Sequence, residues 1–294
     1  MKKNTIIVTG GAGFVGANLI ELLLKKTKYK IISIYNYSSG SFKNHIKNIR
    51  VRYIKGYTKD INILIRNKNT INSVFHFGEF ARIYQSFLNM SECIESNTVG
   101  TNSVFNFCLD NKIRLIYSAT SASLGNKGND KNLSPYAFTK SKNLELLENL
   151  KKWFKFKYEV IYFYNVYGPK QISKGKMSTV IGIFEDSFKR KKPLPVVKPG
   201  TQTRRFTHIS DTVEACYHAW KKNLCRHYSI ASKESLSILE VAKLFKSKIK
   251  FLKRRPGERY ASALTNMNLT NKVYKYFGKR KLRDYIKNIV RNKY

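Results

Sequence analysis

Near its start the chain reads TIIVTGGAGFVG (5–16), an apolar run that ends in glycines and passes straight into the leucine-rich segment FVGANLIELLLKK (14–26). The run lacks period-two alternation, which suits a strand buried on both faces, and the apolar residues after it recur at helical spacing. A β-strand turning sharply into a helix is therefore expected. Gly10, Gly13 and Gly16 fall three residues apart in that turn. The first permits the tight turn, the second lets the backbone approach a bound group, and the third allows close helix–strand packing. The opening residues of the helix, Phe14, Val15 and Gly16, then point free N–H groups at an anion.

The same alternation continues. Apolar strands are expected at 30–35, 51–56, 73–78, 114–119 and 158–164, separated in part by helices over 91–110 and 136–152. Strand–helix alternation of this kind predicts an α/β fold: a doubly wound parallel sheet with helices on both faces. After NVYGP (165–169) the texture changes, with Pro193, Pro195, Pro199 and Gly200 breaking the chain. Residues 1–170 read as a nucleotide-binding domain, to which 210–231 return as a helix and a strand. Residues 171–294 read as a smaller lobe for substrate.

A glycine triplet at the first strand–helix junction of such a chain is a dinucleotide signature. Its usual companion is an acidic residue at the end of the second strand, binding the adenosine ribose. Here that strand ends SIYNYSSG (33–40), with Tyr35 in the acidic position. Asn36, Ser38 and Ser39 can serve a ribose and Lys43 a 2′-phosphate, so NAD is expected and NADP stays open. Tyr57 in GYTKD also stands where an adenine-contacting acid is common in similar sequences.

At 294 residues and 42% hydrophobic content the chain can bury a sizeable core. No run approaches the roughly 20 apolar residues of a membrane span, and no secretory signal pattern opens the chain, so a cytoplasmic protein is expected. The four cysteines show no metal-ligand spacing and the histidines are dispersed, so no metal is expected. A net charge of +38 would attract polyanions, but the lysines are spread along the whole chain. Nucleic acid is accordingly an unlikely partner; an anionic small molecule is favoured.

Eight segments, in order, resemble the extended short-chain dehydrogenase/reductase family and, within it, the nucleotide-sugar epimerases and dehydratases. They are TGGAGFVG (9–16), VFHFGE (74–79), NTVGTNSVFNFC (97–108), SATSASLG (118–125), SPYAFTK (134–140), FYNVYGP (163–169), PGTQTRRFTHISD (199–211) and RRPGE (254–258). The resemblance implies a Rossmann-type sheet, a bound nicotinamide dinucleotide contacted in part by Asn97, and a C-terminal lobe holding a nucleoside-diphosphate sugar. It also implies a homodimer through the helices at 91–110 and 136–152.

Tyr136 and Lys140, four apart at a helix start, share one face. A phenol with a pKa near 10 needs help to act as a base at neutral pH, and an adjacent ammonium supplies it. The resemblance makes Tyr136 the acid/base, Lys140 the ligand of the nicotinamide ribose, and Thr120 the hydroxyl that hydrogen-bonds the reacting oxygen. A second such pair, Tyr217/Lys221, lacks this context. Asn165, Arg204 and Arg255 resemble substrate contacts, the guanidiniums suiting phosphate oxygens. Similar dehydratases carry an Asp-Glu pair after the Thr120 position; this chain has Ser121-Ala122.

The expected function is thus epimerisation of a nucleotide sugar, foremost a UDP-sugar at C4. The alternatives are reduction of a keto-sugar nucleotide, a 6-epimerase, and a non-enzymatic, polyanion-binding relative of the same fold. HFGE (76–79) replaces the usual small-residue run, leaving Glu79 without an assigned role, and the stretch between Thr120 and Tyr136 is short for the family.

Overall fold

The computed structural model describes residues 3–257 and 273–291. The first half runs β1 (Thr5–Thr9), α1 (Phe14–Lys26), β2 (Lys30–Tyr35), β3 (Val51–Lys55), α2 (Ile61–Leu64), β4 (Ile71–His76), α3 (Ile83–Leu88), α4 (Met90–Ile94), α5 (Thr101–Asp110), β5 (Arg114–Thr120), α6 (Pro135–Phe154) and β6 (Tyr158–Phe163). The second runs β7 (Asn165–Tyr167), α7 (Val180–Lys189), β8 (Leu194–Val197), β9 (Thr203–His208), α8 (Ile209–Lys222), β10 (His227–Ala231), β11 (Ser235–Ser237), α9 (Ile238–Leu244), β12 (Ile249–Leu252), β13 (Val273–Phe277) and α10 (Leu282–Arg291).

The main sheet is parallel throughout, with eight described strands in the order β3-β2-β1-β4-β5-β6-β10-β13. The chain winds outward from β1 to β3, then crosses back to β4 on the other side of β1. That reversal opens a crevice at the carboxyl ends of β1 and β4, where Thr9 pairs with His76. Successive strand residues serve opposite faces. Ile7, Val74 and Leu115 enter one core with Val104, Phe105 and Leu147, whereas Ile6, Phe75 and Ile116 enter the other with Leu19, Ile20 and Cys216. Two buried faces explain why these strands read as unbroken apolar runs.

A third core, built from Phe184, Phe188, Leu194, Val196, Phe206, Val241, Phe245 and Ile286, fills the C-terminal part. Two small sheets, β11-β9-β7 and β12-β8, surround it. The chain returns to the main sheet twice: β10 pairs with β6, and β13 pairs with β10 from His227↔Val273 to Ala231↔Phe277. The sequence pattern singled out only the first of these.

The helix expected over 91–110 is a composite. α4 leads through a wider π turn, Glu95–Gly100, into α5. α6 starts cleanly because the Ser134 hydroxyl accepts from the Ala137 N–H and Pro135 occupies the first turn. Among the described residues no group of three or more acidic, His or Cys side chains could hold a metal, and no helix is long and apolar enough to cross a membrane. Cys93, Cys108 and Cys216 are buried free thiols and Cys225 is a partly buried one.

Candidate active site

A cleft of about 440 Å³ occupies the crevice at the strand ends. Gly10 turns the chain at its floor with φ of +74°, and a Cβ there would lie 2.8 Å from the Phe77 carbonyl. A Cβ on Gly16 would lie 2.2 Å from the Gly10 oxygen, so α1 can approach the loop this closely only with glycine. Gly13, at the N-cap, brings no side chain to cover the first-turn amides of Phe14, Val15 and Gly16, all four residues lining the cleft. This bare cradle fits a dinucleotide pyrophosphate.

At the end of β2, Tyr35, Asn36 and Ser38 also line the cleft. Tyr35 is mostly buried, and its hydroxyl hydrogen-bonds Ser39 Oγ at 2.9 Å. Asn36 Oδ1 accepts from the Ser38 N–H, closing a local turn. The end of β2 therefore presents hydroxyl and amide groups to the cleft and no carboxylate.

Tyr136 and Lys140 line the same cleft. The Tyr136 N–H donates to Ser86 Oγ on α3 at 3.2 Å, fixing the start of α6 against the cleft wall. The Lys140 side chain is 4% exposed. Its ammonium donates to the Ser118 carbonyl and to the Glu79 carboxylate, above the Tyr117 ring at 4.7 Å. Burial pulls the ammonium below the usual lysine range, and Glu79 opposes that pull.

Glu79 is the centre of a buried network. Its Oε1 accepts from the Thr101 hydroxyl (3.0 Å), the Tyr117 hydroxyl (3.1 Å) and Asn143 Nδ2 (3.4 Å), while Oε2 takes Lys140. The Thr101 proton is thereby spent, so the His76 Nε2–H must donate to Thr101 Oγ1 at 3.0 Å. Nδ1 of His76 then accepts from Thr9 Oγ1 at 2.7 Å, and Thr9 itself accepts from the Phe77 and Gly78 amides. Burial pushes His76 down to about 4, so this histidine is a neutral strut.

Other anticipated residues stand apart from the cleft lining. Asn97 is fully buried, with its amide closed on the Phe80 N–H (2.7 Å), the Phe80 carbonyl (3.1 Å) and Thr139 Oγ1 (3.2 Å). It buttresses the wall from behind. Thr120 ends β5 mostly buried, its hydroxyl accepting from the Ala122 N–H at 3.2 Å. Asn165 begins β7 and donates to the Arg205 carbonyl at 3.4 Å. Arg204 is mostly buried on β9, donating to the Thr203 carbonyl. Arg255 stacks over the Tyr84 ring of α3 at 4.9 Å.

Glu79 and Arg82 are among the lining residues that had no sequence-based role. Arg82 donates through Nε (2.9 Å) and Nη2 (2.6 Å) to the Met177 carbonyl, tying a C-terminal loop to the cleft rim. Glu79 was visible as an anomaly in HFGE, but its partners come from β5, α5 and α6.

A family model, the NAD dependent epimerase/dehydratase family, matches residues 6–231. The chain belongs to this family, whose cofactor is NAD. It is 28% identical over 257 residues to an ADP-L-glycero-D-manno-heptose-6-epimerase of Brachyspira hyodysenteriae, covering 82% of this chain and 80% of that protein. It is 26% identical over 274 residues to a putative UDP-glucose 4-epimerase of Methanocaldococcus jannaschii, covering 87% and 88%. Among solved structures, a UDP-glucose 4-epimerase of Thermotoga maritima with UDP-glucose superimposes with a TM-score of 0.87 at 23% identity, covering 98% and 97%. A UDP-glucose 4-epimerase of Thermus thermophilus in complex with NAD gives 0.83 at 21%, covering 98% of each chain.

Proposed function

We propose that this member of the family is a nucleotide-sugar epimerase acting at C4 of a UDP-sugar, with Tyr136 as acid/base. The observation that carries this reading is that Tyr136 and Lys140 both line the glycine-loop cleft. Ser121 and Ala122 occupy the positions where similar dehydratases have acids, and both oxygens of Glu79 are engaged by donors.

When bound, NAD would supply a hydride acceptor for the sugar carbon. The protein's own part is proton handling and orientation. Tyr136 takes the hydroxyl proton and gives it back, and the Lys140 ammonium favours its phenolate and holds the ribose. Thr120, at the end of β5, is assigned the hydrogen bond to the reacting oxygen. Phe14, Val15, Tyr35, Asn36 and Ser38 bind the dinucleotide. Asn165, Arg204 and Arg255 are assigned to the sugar nucleotide, with the guanidiniums on its phosphates.

The test is interconversion of UDP-glucose and UDP-galactose by the purified protein. No turnover on a panel of UDP-, GDP- and ADP-sugars sinks the reading. The similarity to a heptose 6-epimerase supports a second arm: turnover of an ADP-heptose alone moves the reaction to C6. A homodimer completes the proposal, since Phe87, Met90, Ile94, Leu133 and Phe138 border one exposed apolar groove along α3, α4 and the start of α6.

A further inference from the structure

Glu79 lies 61 residues from Lys140 in sequence, yet the two side chains are 2% and 4% exposed and form an ion pair. Tyr117, Cys93 and His76, which surround the ammonium, carry no negative charge at neutral pH. Tyr117, on β5 beneath it, is held well above the usual phenol range by burial. Cys93, on α4, is pushed up to about 11 by burial, and His76, on β4, down to about 4. Tyr136 stands one turn earlier on α6. The Ser118 carbonyl supplies a dipole but no charge. Glu79 is therefore the sole carboxylate bonded to Lys140 among the described residues, and Thr101, Tyr117 and Asn143 aim it.

We propose that Glu79 is a positioning residue for catalysis: its buried carboxylate keeps Lys140 an ammonium, anchored on Ser118, where the dinucleotide site needs a cation. This rests on the reading of Lys140 as the cation of that site. A lysine withdrawn from water without a counter-charge loses its proton readily, and a neutral amine can neither favour a phenolate nor serve as a charged donor to a ribose. In this chain the counter-charge comes from the loop after β4.

The experiment compares wild type, Glu79→Gln and the double variant Glu79→Gln/Lys140→Met, by thermal unfolding and by calorimetric titration with NAD, from about pH 7 to about pH 10. In Glu79→Gln the folded state must bury an unpaired ammonium or give up its proton, so the folded pKa of Lys140 falls further below the unfolded value near 10.4. Between those two values the unfolded chain holds more protons, so the variant gains stability relative to wild type as pH rises. The expected result is a melting-temperature deficit that is largest at neutral pH and narrows toward pH 10. NAD affinity in Glu79→Gln should fall about tenfold over a range where wild type stays flat, one pKa unit corresponding to a factor of ten. The double variant, with both charges gone, should show no deficit that narrows as pH rises.

A deficit of the same size at every pH means Glu79 only fills space and hydrogen bonds, and overturns the proposal. Should Glu79→Gln not fold, recovery in the double variant supports the ion pair and no recovery overturns it. A narrowing deficit in a protein whose wild type binds no NAD leaves the ion pair standing and removes the dinucleotide reading instead.

Discussion

The Lys140 ammonium and the Glu79 carboxylate meet inside the protein, one from the second turn of α6 and one from the loop after β4. Breaking a buried pair from one side leaves a charge without compensation, at a cost of about 3–5 kcal/mol. The pair thus joins two segments of the cleft wall and makes the ionisation of Lys140 a property of the tertiary structure.

Replacing Tyr136 by Phe removes the proposed acid/base hydroxyl while keeping the aromatic ring in the cleft lining and the backbone N–H bond to Ser86. Turnover on the active sugar nucleotide should fall by about 10²–10⁴-fold, the usual worth of a general acid/base. The melting temperature should stay near that of wild type. A variant with near-normal turnover would remove Tyr136 from the chemistry.

Gly10→Ala should be damaging at a distance from any substrate. The position has φ of +74°, and the added Cβ would meet the backbone of Phe77 at 2.8 Å. Left-handed strain alone costs on the order of 1–3 kcal/mol, and backbone cannot yield as a flexible side chain can. The expected outcome is a lower urea midpoint together with weakened NAD binding by titration.

Stability should fall on mild acidification because of His76. Its folded value is depressed to about 4, below the ordinary value near 6.5, since both ring nitrogens are buried and hydrogen-bonded. The unfolded chain therefore binds more protons as pH drops through that window. The contribution is complete above pH 6.5 and lost toward pH 4, amounting to about 3 kcal/mol. Urea midpoints measured across this range should decline, and His76→Gln should flatten the decline attributable to this group.

The uncharged end of β2 bears on cofactor choice. Tyr35 and Ser39 hydroxyls stand where a carboxylate would repel a 2′-phosphate. Tyr35→Asp should weaken NADP relative to NAD by about tenfold or more, given the Coulomb energy of like charges at this range. Calorimetry with both dinucleotides reads the ratio, and an unchanged ratio would show that this end of the cleft does not select.

The apolar groove beside α6 predicts association. Phe138 and Ile94 are 47% and 43% exposed. Phe138→Glu or Ile94→Glu should convert a dimer in sedimentation equilibrium to a monomer, while a wild type that is already monomeric leaves the groove unassigned to a second copy.

The glycine loop was legible in the sequence because its requirements are local: a left-handed turn and a close helix approach within seven residues, Gly10–Gly16. The Tyr136/Lys140 spacing was legible for the same reason, one turn of one helix. Asn97 was recognised by its motif, yet its amide is spent on Phe80 and Thr139, which no spacing along the chain reveals. Thr120, Arg204 and Asn165 could be numbered but not aimed, since the direction of a strand side chain depends on register and on the element that follows. Glu79 could be seen as out of place and nothing more.

What the sequence determined by itself was the strand–helix alternation of the first half, the two-faced burial of the central strands and the location of the glycine turn. Periodicity and glycine stereochemistry act over a few residues, so they survive in the linear text. The tertiary structure decided which groups carry charge in the site. The ionisation of Lys140 and the neutrality of His76 depend on exclusion of water and on partners supplied by β4, β5, α4, α5 and α6. A charge is stabilised by its surroundings in space, and those surroundings exist only once the chain has folded.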